Sequence, residues 1–137
     1  MKKVKDLDGN EHKWSMIGYT VGFDETKPRS KLHLSARELI KSLFPASPIL
    51  EEVLIPITKK SKLYLDFYLK IEGIAVEVQG EQHFNWVPHF HKSKFEFYHQ
   101  QRNDKLKADW CDLNGIDLIT LPYNEDIDEW RSRFSKK

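Results

Sequence analysis

The chain has 137 residues, of which 39% are hydrophobic, 12% aromatic and 31% charged, a balance that excludes a disordered segment and fits one folded domain with a moderate core. Its 22 Lys and Arg against 21 Asp and Glu leave a net charge of +1, so bulk charge does not announce a polyanion partner and any nucleic-acid contact must come from clustered basic residues. A lone cysteine, Cys111, cannot form an internal disulfide, and no signal-peptide pattern or apolar run near the roughly 20 residues that cross a bilayer is present, which predicts a soluble, cytoplasmic protein with no membrane partner.

In chain order, Asp8-Gly9 sits between two short strand-like runs and predicts a β-hairpin, followed by a polar connector punctuated by Pro28. Residues 1–31 thus read as an N-terminal β appendage, and 32–137 as the main domain. Ala36, Leu39, Ile40 and Leu43 share a helical face, with Ser35 as N-cap and Pro45 as stop. A strand over "ILEEVLIPI", a basic turn "TKKSK", and the strands "LYLDFYLK" and "IAVEVQ" follow, the last two joined at Glu72-Gly73. From about Ser93 the sequence predicts a long helix with the stripe Phe95, Arg102, Leu106, Trp110 and Leu113, closed by Asn114-Gly115; Asp104 lies nearly opposite that stripe, beside Phe97, Ala108 and Cys111. "IDLITLPY" reads as a strand, and "NEDIDEWRSRF" as a terminal helix capped by Asn124, with Ile127, Trp130 and Phe134 inward. The order is α, β, β, β, α, β, α, an α/β class, and there is no internal repeat.

The two acids on adjacent strands carry the chemistry. If Glu72-Gly73 is a two-residue turn, Asp66 faces Gln79, Glu77 faces Tyr68, and Asp66 and Glu77 are diagonal neighbours roughly 7 to 8 Å apart at the backbone. Two such carboxylates can share one Mg²⁺ or Mn²⁺, with water or phosphate completing the shell. Leu63, Leu65, Phe67 and Leu69 form the core side, placing both acids on the less apolar face.

"LYLDFYL", "VEVQGEQHF", "RNDKLK" and "NGIDLITL", in this order of elements, resemble the PD-(D/E)XK nuclease superfamily over roughly residues 32 to 123. Within it they look like the branch related to very-short-patch repair endonucleases, which includes homing and phage nucleases. The resemblance implies a restriction-endonuclease-like αβββαβ core, a mixed central sheet flanked by helices, and a metal-dependent endonuclease acting on DNA without a nucleotide cofactor. It implies metal ligation by Asp66, Glu77 and Val78, and catalytic roles for Asp66, Glu77, Gln79, His83, Glu38 and Asp104. Gln79 stands where most of the superfamily has lysine, and His83 is the residue that could act as general base near neutral pH. One site per chain would nick DNA, or cut two strands as a homodimer. The runner-up is a nucleic-acid-binding module of the same fold with a lost or altered site.

Other readings stay open. Ser35 to Glu38 also spells a capping box, and Asp104 could pair with Lys105 or Lys107 on a solvated face. His83, His89, His91, His99 and Cys111 include zinc-ligand types, but one cysteine without paired spacing argues against structural zinc. His89 and His91 could lie near phosphate, with Trp86 and Phe90 available to stack on bases or merely to pack. Lys59, Lys60, Lys62, Lys92, Lys94, Arg102, Lys105 and Lys107 form clusters that suit phosphate contacts or a solvated surface, and Lys2, Lys3, Lys5 and Lys13 could extend them.

Overall fold

The computed structural model describes residues 2–22, 29–85 and 94–135. Strands β1 (Lys2–Lys5) and β2 (Glu11–Trp14) form an antiparallel hairpin. A five-stranded mixed sheet follows, ordered β3 (Tyr19–Thr20), β4 (Ile49–Pro56), β5 (Lys62–Leu69), β6 (Ile74–Gln79) and β7 (Asp117–Pro122). Neighbours are antiparallel except β6 and β7, which are parallel and are connected through helix α2 (Lys94–Leu113). Helices α1 (Lys31–Leu43) and α3 (Ile127–Phe134) pack Ala36, Leu39, Ile40, Trp130 and Phe134 against Phe67, Val76 and Leu121. A second core joins Trp110 and Cys111 of α2 to Val4 and Trp14 of the hairpin, over Ile55, Leu65 and Tyr68. Because the sheet has a core on each side, β6 is buried on both faces from Ile74 to Glu77, where its alternation predicts burial on one.

The Asp8-Gly9 hairpin forms, with Gly9 in the left-handed region at φ +89°. Asp6 organises it: its carboxylate accepts from the amides of Asp8 and Asn10 and lies 2.7 Å from His12 Nε2. Burial would raise the Asp6 pKa, but the bonds from His12 and Asn10 win and hold it at about 2. Leu7 N–H donates to the Ile57 carbonyl and Trp14 Nε1 to that of Leu54. The segment expected as an appendage therefore gives Val4 and Trp14 to the core and β3 to the sheet edge.

Gly18 shows how closely that edge lies on β4. A Cβ there would stand 2.7 Å from the Glu51 carbonyl oxygen and 3.1 Å from Val53 Cγ2. Gly18→Ala should thus destabilise the fold by about 1 to 3 kcal/mol, the range for overpacking, as read by urea unfolding.

The β5–β6 turn differs from expectation. Gly73 (φ +69°) donates to the Leu69 carbonyl across a four-residue loop, and the pairs are Leu69–Ile74, Tyr68–Ala75 and Phe67–Val76. The register is shifted by two residues, which keeps every side chain on its face but puts Asp66 opposite Glu77 instead of Gln79. Leu63 and Leu65 are also not on one side with Phe67 and Leu69: the first two pack against the α2 core, the last two against the α1 and α3 core. The phase breaks at Asp66, and the neighbouring β4 breaks at Glu52, whose φ is +50°. A kink thus runs across two strands where the acids sit.

The helix starts move too. Ser30, not Ser35, caps α1 by accepting from His33 N–H, since the apolar periodicity extends a turn earlier through Leu32 and His33. Asp126, not Asn124, caps α3 in a capping box with Glu129, leaving Ile127 exposed. On α2, Phe95, Arg102 and Leu113 are exposed, and the inward face runs through Gln100, Asp104, Lys107, Trp110 and Cys111. Much of that face is polar, and it meets Glu77 and His83 through Lys107, Asp104 and Gln100.

Candidate active site

Beyond Phe67 and Val76 the ladder between β5 and β6 stops, while β4–β5 pairing runs on to Pro56–Lys62 and β6–β7 pairing to Gln79–Pro122. The parted strands leave amides without ladder partners, and the two acids supply them. Asp66 N–H donates to Glu77 Oε2 at 2.6 Å, and Val78 N–H donates to Asp66 Oδ2 at 2.7 Å. Each carboxylate is thereby fixed by the backbone of the opposite strand. Val78 enters the site through this amide.

Glu77 is buried, and its Oε1 accepts from Lys107 Nζ at 2.7 Å. Burial first, and then the charge of Asp66, push its carboxyl well above the usual range, against the pull of Lys107. Burial would lower Lys107, but Glu77, and after it Asp66 and Asp104, hold it above the usual lysine value. Lys107, expected as a phosphate contact, reaches in from α2 to Glu77, beside Asp66. Cys111, one turn further, is buried, its thiol pushed up to about 12 by burial and Glu77.

His83 lies on a single 3₁₀ turn, Glu81–His83, directly after β6. Its Nδ1 is 2.7 Å from Asp104 Oδ2, and its Nε2 is 3.1 Å from Gln100 Nε2. With the Gln100 amide nitrogen assigned to that position, Nε2 accepts and the ring proton sits on Nδ1, donated to Asp104. Asp104 therefore orients an imidazole instead of pairing with Lys105, which binds Asp109 on the outer face.

Asp66, His83, Gln100 and Lys107 line two cavities, of about 860 and 620 Å³. Asp104 joins them in the larger one and Glu77 in the smaller. Gln79 lines neither; it is half-buried, and its carbonyl accepts from Tyr123 N–H. Glu38 is also elsewhere, in a groove between α1 and α3, 3.8 Å from Lys41. The α1 side chains at the site are Ser30, Leu32 and His33, one turn earlier. His33 stacks on Phe67 at 4.5 Å between ring centroids.

Lys59, Lys60 and Lys62 are exposed at the β4–β5 turn, with Lys62 about 13 Å along the strand from Asp66 at 3.3 Å per residue. Lys94, Arg102 and Lys105 are exposed on α2. Trp86, His89, His91 and Lys92 lie outside the described residues. His33, Gln100 and Asn103 are site residues that the sequence reading missed. The helical spacing of Gln100, Asp104, Lys107 and Cys111 (i, i+4, i+7, i+11) could have found Gln100 and the role of Lys107.

Among the described residues no three His, Cys, Asp or Glu side chains cluster as a metal site. The Asp66–Glu77 pair still fits Mg²⁺, which takes one or two carboxylates and keeps water or phosphate for the rest. Among the described residues Asp66 Oδ1 carries no hydrogen bond, and Asp66 pushes Glu77 up despite the Lys107 ammonium, so added positive charge would favour the ionised pair.

The chain is similar to viral proteins described as uncharacterized. It is 43% identical over 61 residues to protein 307L of Invertebrate iridescent virus 6, covering 44% of this chain and 31% of that one. Protein 033L of Invertebrate iridescent virus 3 is 38% identical over 68 residues, 50% of this chain and 34% of its own. Protein 094L of Frog virus 3 (isolate Goorha) is 40% identical over 62 residues, 44% of this chain and 40% of its own. The chain thus spans between 31% and 40% of the length of these relatives. No family model matches it, and no solved structure does. No helix among the described residues is long and apolar enough to cross a membrane.

Proposed function

We propose that the protein is a divalent-metal-dependent endonuclease that hydrolyses phosphodiester bonds in DNA, on a restriction-endonuclease-like core made by α1, β4, β5, β6, α2 and β7. The observation that carries this reading is the Asp66–Glu77 pair at parted strands beside the His83–Asp104 pair, with Asp66 and His83 lining both cavities. A structural ion pair would not need two acids facing one lysine beside an oriented imidazole.

Asp66 and Glu77 would hold Mg²⁺ or Mn²⁺, which when bound polarises the phosphate and lowers the pKa of its water. With the attacking water in place of the Gln100 amide, His83 Nε2 takes its proton as the water oxygen bonds to phosphorus, and the leaving sugar oxygen departs with the electrons of the broken P–O bond. Asp104 holds the ring and stabilises the imidazolium. Lys107 supplies the ammonium that Gln79 cannot, placing positive charge where the phosphate gains negative charge. One such site nicks; cutting both strands takes two copies.

The test is cleavage of labelled duplex, single-stranded and branched DNA, and of RNA, in EDTA, Mg²⁺ or Mn²⁺. His83→Ala should slow cutting by about 10² to 10⁴ and Lys107→Met by about 10² to 10³. If every substrate is bound and none is cut, the protein is a binding module of this fold.

A further inference from the structure

The two cavities that flank the site differ in chemistry. The smaller is lined by His33, Glu77 and Glu81 beside Leu32, Val78 and Tyr123. The larger has an apolar and aromatic wall of Ile17, Tyr19, Leu54, Leu63 and Tyr64 facing Asp66, His83 and Asp104. Tyr64 is 56% exposed although β5 is an interior strand, and Ile17 is 64% exposed. Large side chains left bare on an interior strand and its neighbouring segment cost apolar surface that the fold has not covered.

That wall is also held in place. Gly18 lies against the β4 backbone, Leu54 N–H donates to the Ile17 carbonyl, and the Arg29 guanidinium sits 5.4 Å from the Tyr19 ring centroid. Asn103, which lines only this cavity of the two, offers a side-chain donor and acceptor at its edge.

We infer that the larger cavity receives an unpaired nucleobase from the nucleotide beside the phosphate held at Asp66 and His83, with Tyr64 as its stacking platform. This deepens the nuclease reading and rests on it. Aromatic faces bind bases of any sequence by stacking, with Asn103 positioned to meet a base edge. A base inside a duplex is already stacked on both faces, so it reaches Tyr64 only if it is single-stranded, gapped, mismatched or turned out of the helix. The substrate class that follows is DNA with an unpaired nucleotide next to the cleaved bond.

The experiment measures binding by fluorescence anisotropy in Ca²⁺, using one sequence as a perfect duplex, as a single strand and as a duplex with one unpaired base. Cleavage of the same DNAs in Mg²⁺ or Mn²⁺ is read separately. Wild type should bind the unpaired forms at least tenfold more tightly than the perfect duplex. Tyr64→Ala should lose about ten- to hundredfold on the unpaired forms alone, and Tyr64→Phe should retain the preference. Melting curves of each variant check folding. Equal binding of all forms by wild type, or an equal loss on all forms in Tyr64→Ala, overturns the inference even where DNA is cut. Preference for unpaired bases without cutting by wild type leaves the base site and removes the nuclease. Failure to bind any form overturns both.

Discussion

Asp66→Asn should lose cleavage while the protein melts no lower than wild type at neutral pH. The asparagine oxygen can still accept from Val78 N–H, so the parted strands keep that tie. What disappears is one negative charge. Glu77 is raised above its unfolded value by burial and by Asp66. A carboxyl with a raised folded-state pKa binds its proton more tightly when folded, so folding is weakened as pH rises above the ordinary carboxyl range towards the raised value. Neutralising position 66 removes part of that cost. The loss of activity should exceed the roughly 10- to 100-fold typical of removing an outer partner of a metal ligand. Cleavage rate and thermal melting from pH 5 to 9 test this together: a variant that both melts earlier and cuts normally would mean that Asp66 serves the fold and not a reaction. Mg²⁺ should likewise raise the melting temperature of wild type more than that of Asp66→Asn, because a ligand that binds only the folded state stabilises it.

The elements were legible where a period or a breaker wrote them plainly. Asp8-Gly9, Pro45 and Asn114-Gly115 punctuate the chain, and the order of helices and strands follows from the patterns between them. The register of β5 and β6 was not legible, because "KIEG" accommodates either a two-residue or a four-residue turn, and only packing decides between them. That choice turns Asp66 and Glu77 from diagonal neighbours into opposite ones. The phase break at Glu52 and Asp66 was hidden for a related reason: alternation assumes an unbroken pleat, and a positive φ at a glutamate leaves no trace in composition. Capping misled at both Ser35 and Asn124, since Ser30 and Asp126 are equally good caps and tertiary contacts select between them. Glu38 entered as a site residue through the family resemblance, with the Ser35 capping box as its structural rival. With the helix begun at Lys31, His33 takes the place near the acids, and Glu38 turns towards α3.

Arg37→Met should destabilise the fold by about 3 kcal/mol, the lower end of what breaking a buried ion pair costs. Glu51 of β4 is buried and takes a two-pronged contact from Arg37 of α1, Nε to Oε1 at 2.6 Å and Nη2 to Oε2 at 2.9 Å. Arg29 stands 3.2 Å and His33 3.4 Å from the same carboxylate. Burial alone would raise the Glu51 pKa, but His33 and then Arg37 overcome it and hold it at about 2. A depressed folded-state pKa gives stability that is fully present above the ordinary value of 4.5 and is lost as pH falls towards 2. The difference between wild type and Arg37→Met should accordingly be largest near pH 7 and shrink at pH 3, measured by urea unfolding at both. A difference equal at the two pH values would mean that Arg37 acts through packing alone. The consequence reaches the site because Glu51 pairs with Phe67, on which His33 stacks, and Asp66 is the next residue along β5. The buried pair thus clamps α1 onto the sheet beside the kink that presents the two acids, and Arg37→Met should lower cleavage as well as stability, without removing any group that touches the phosphate.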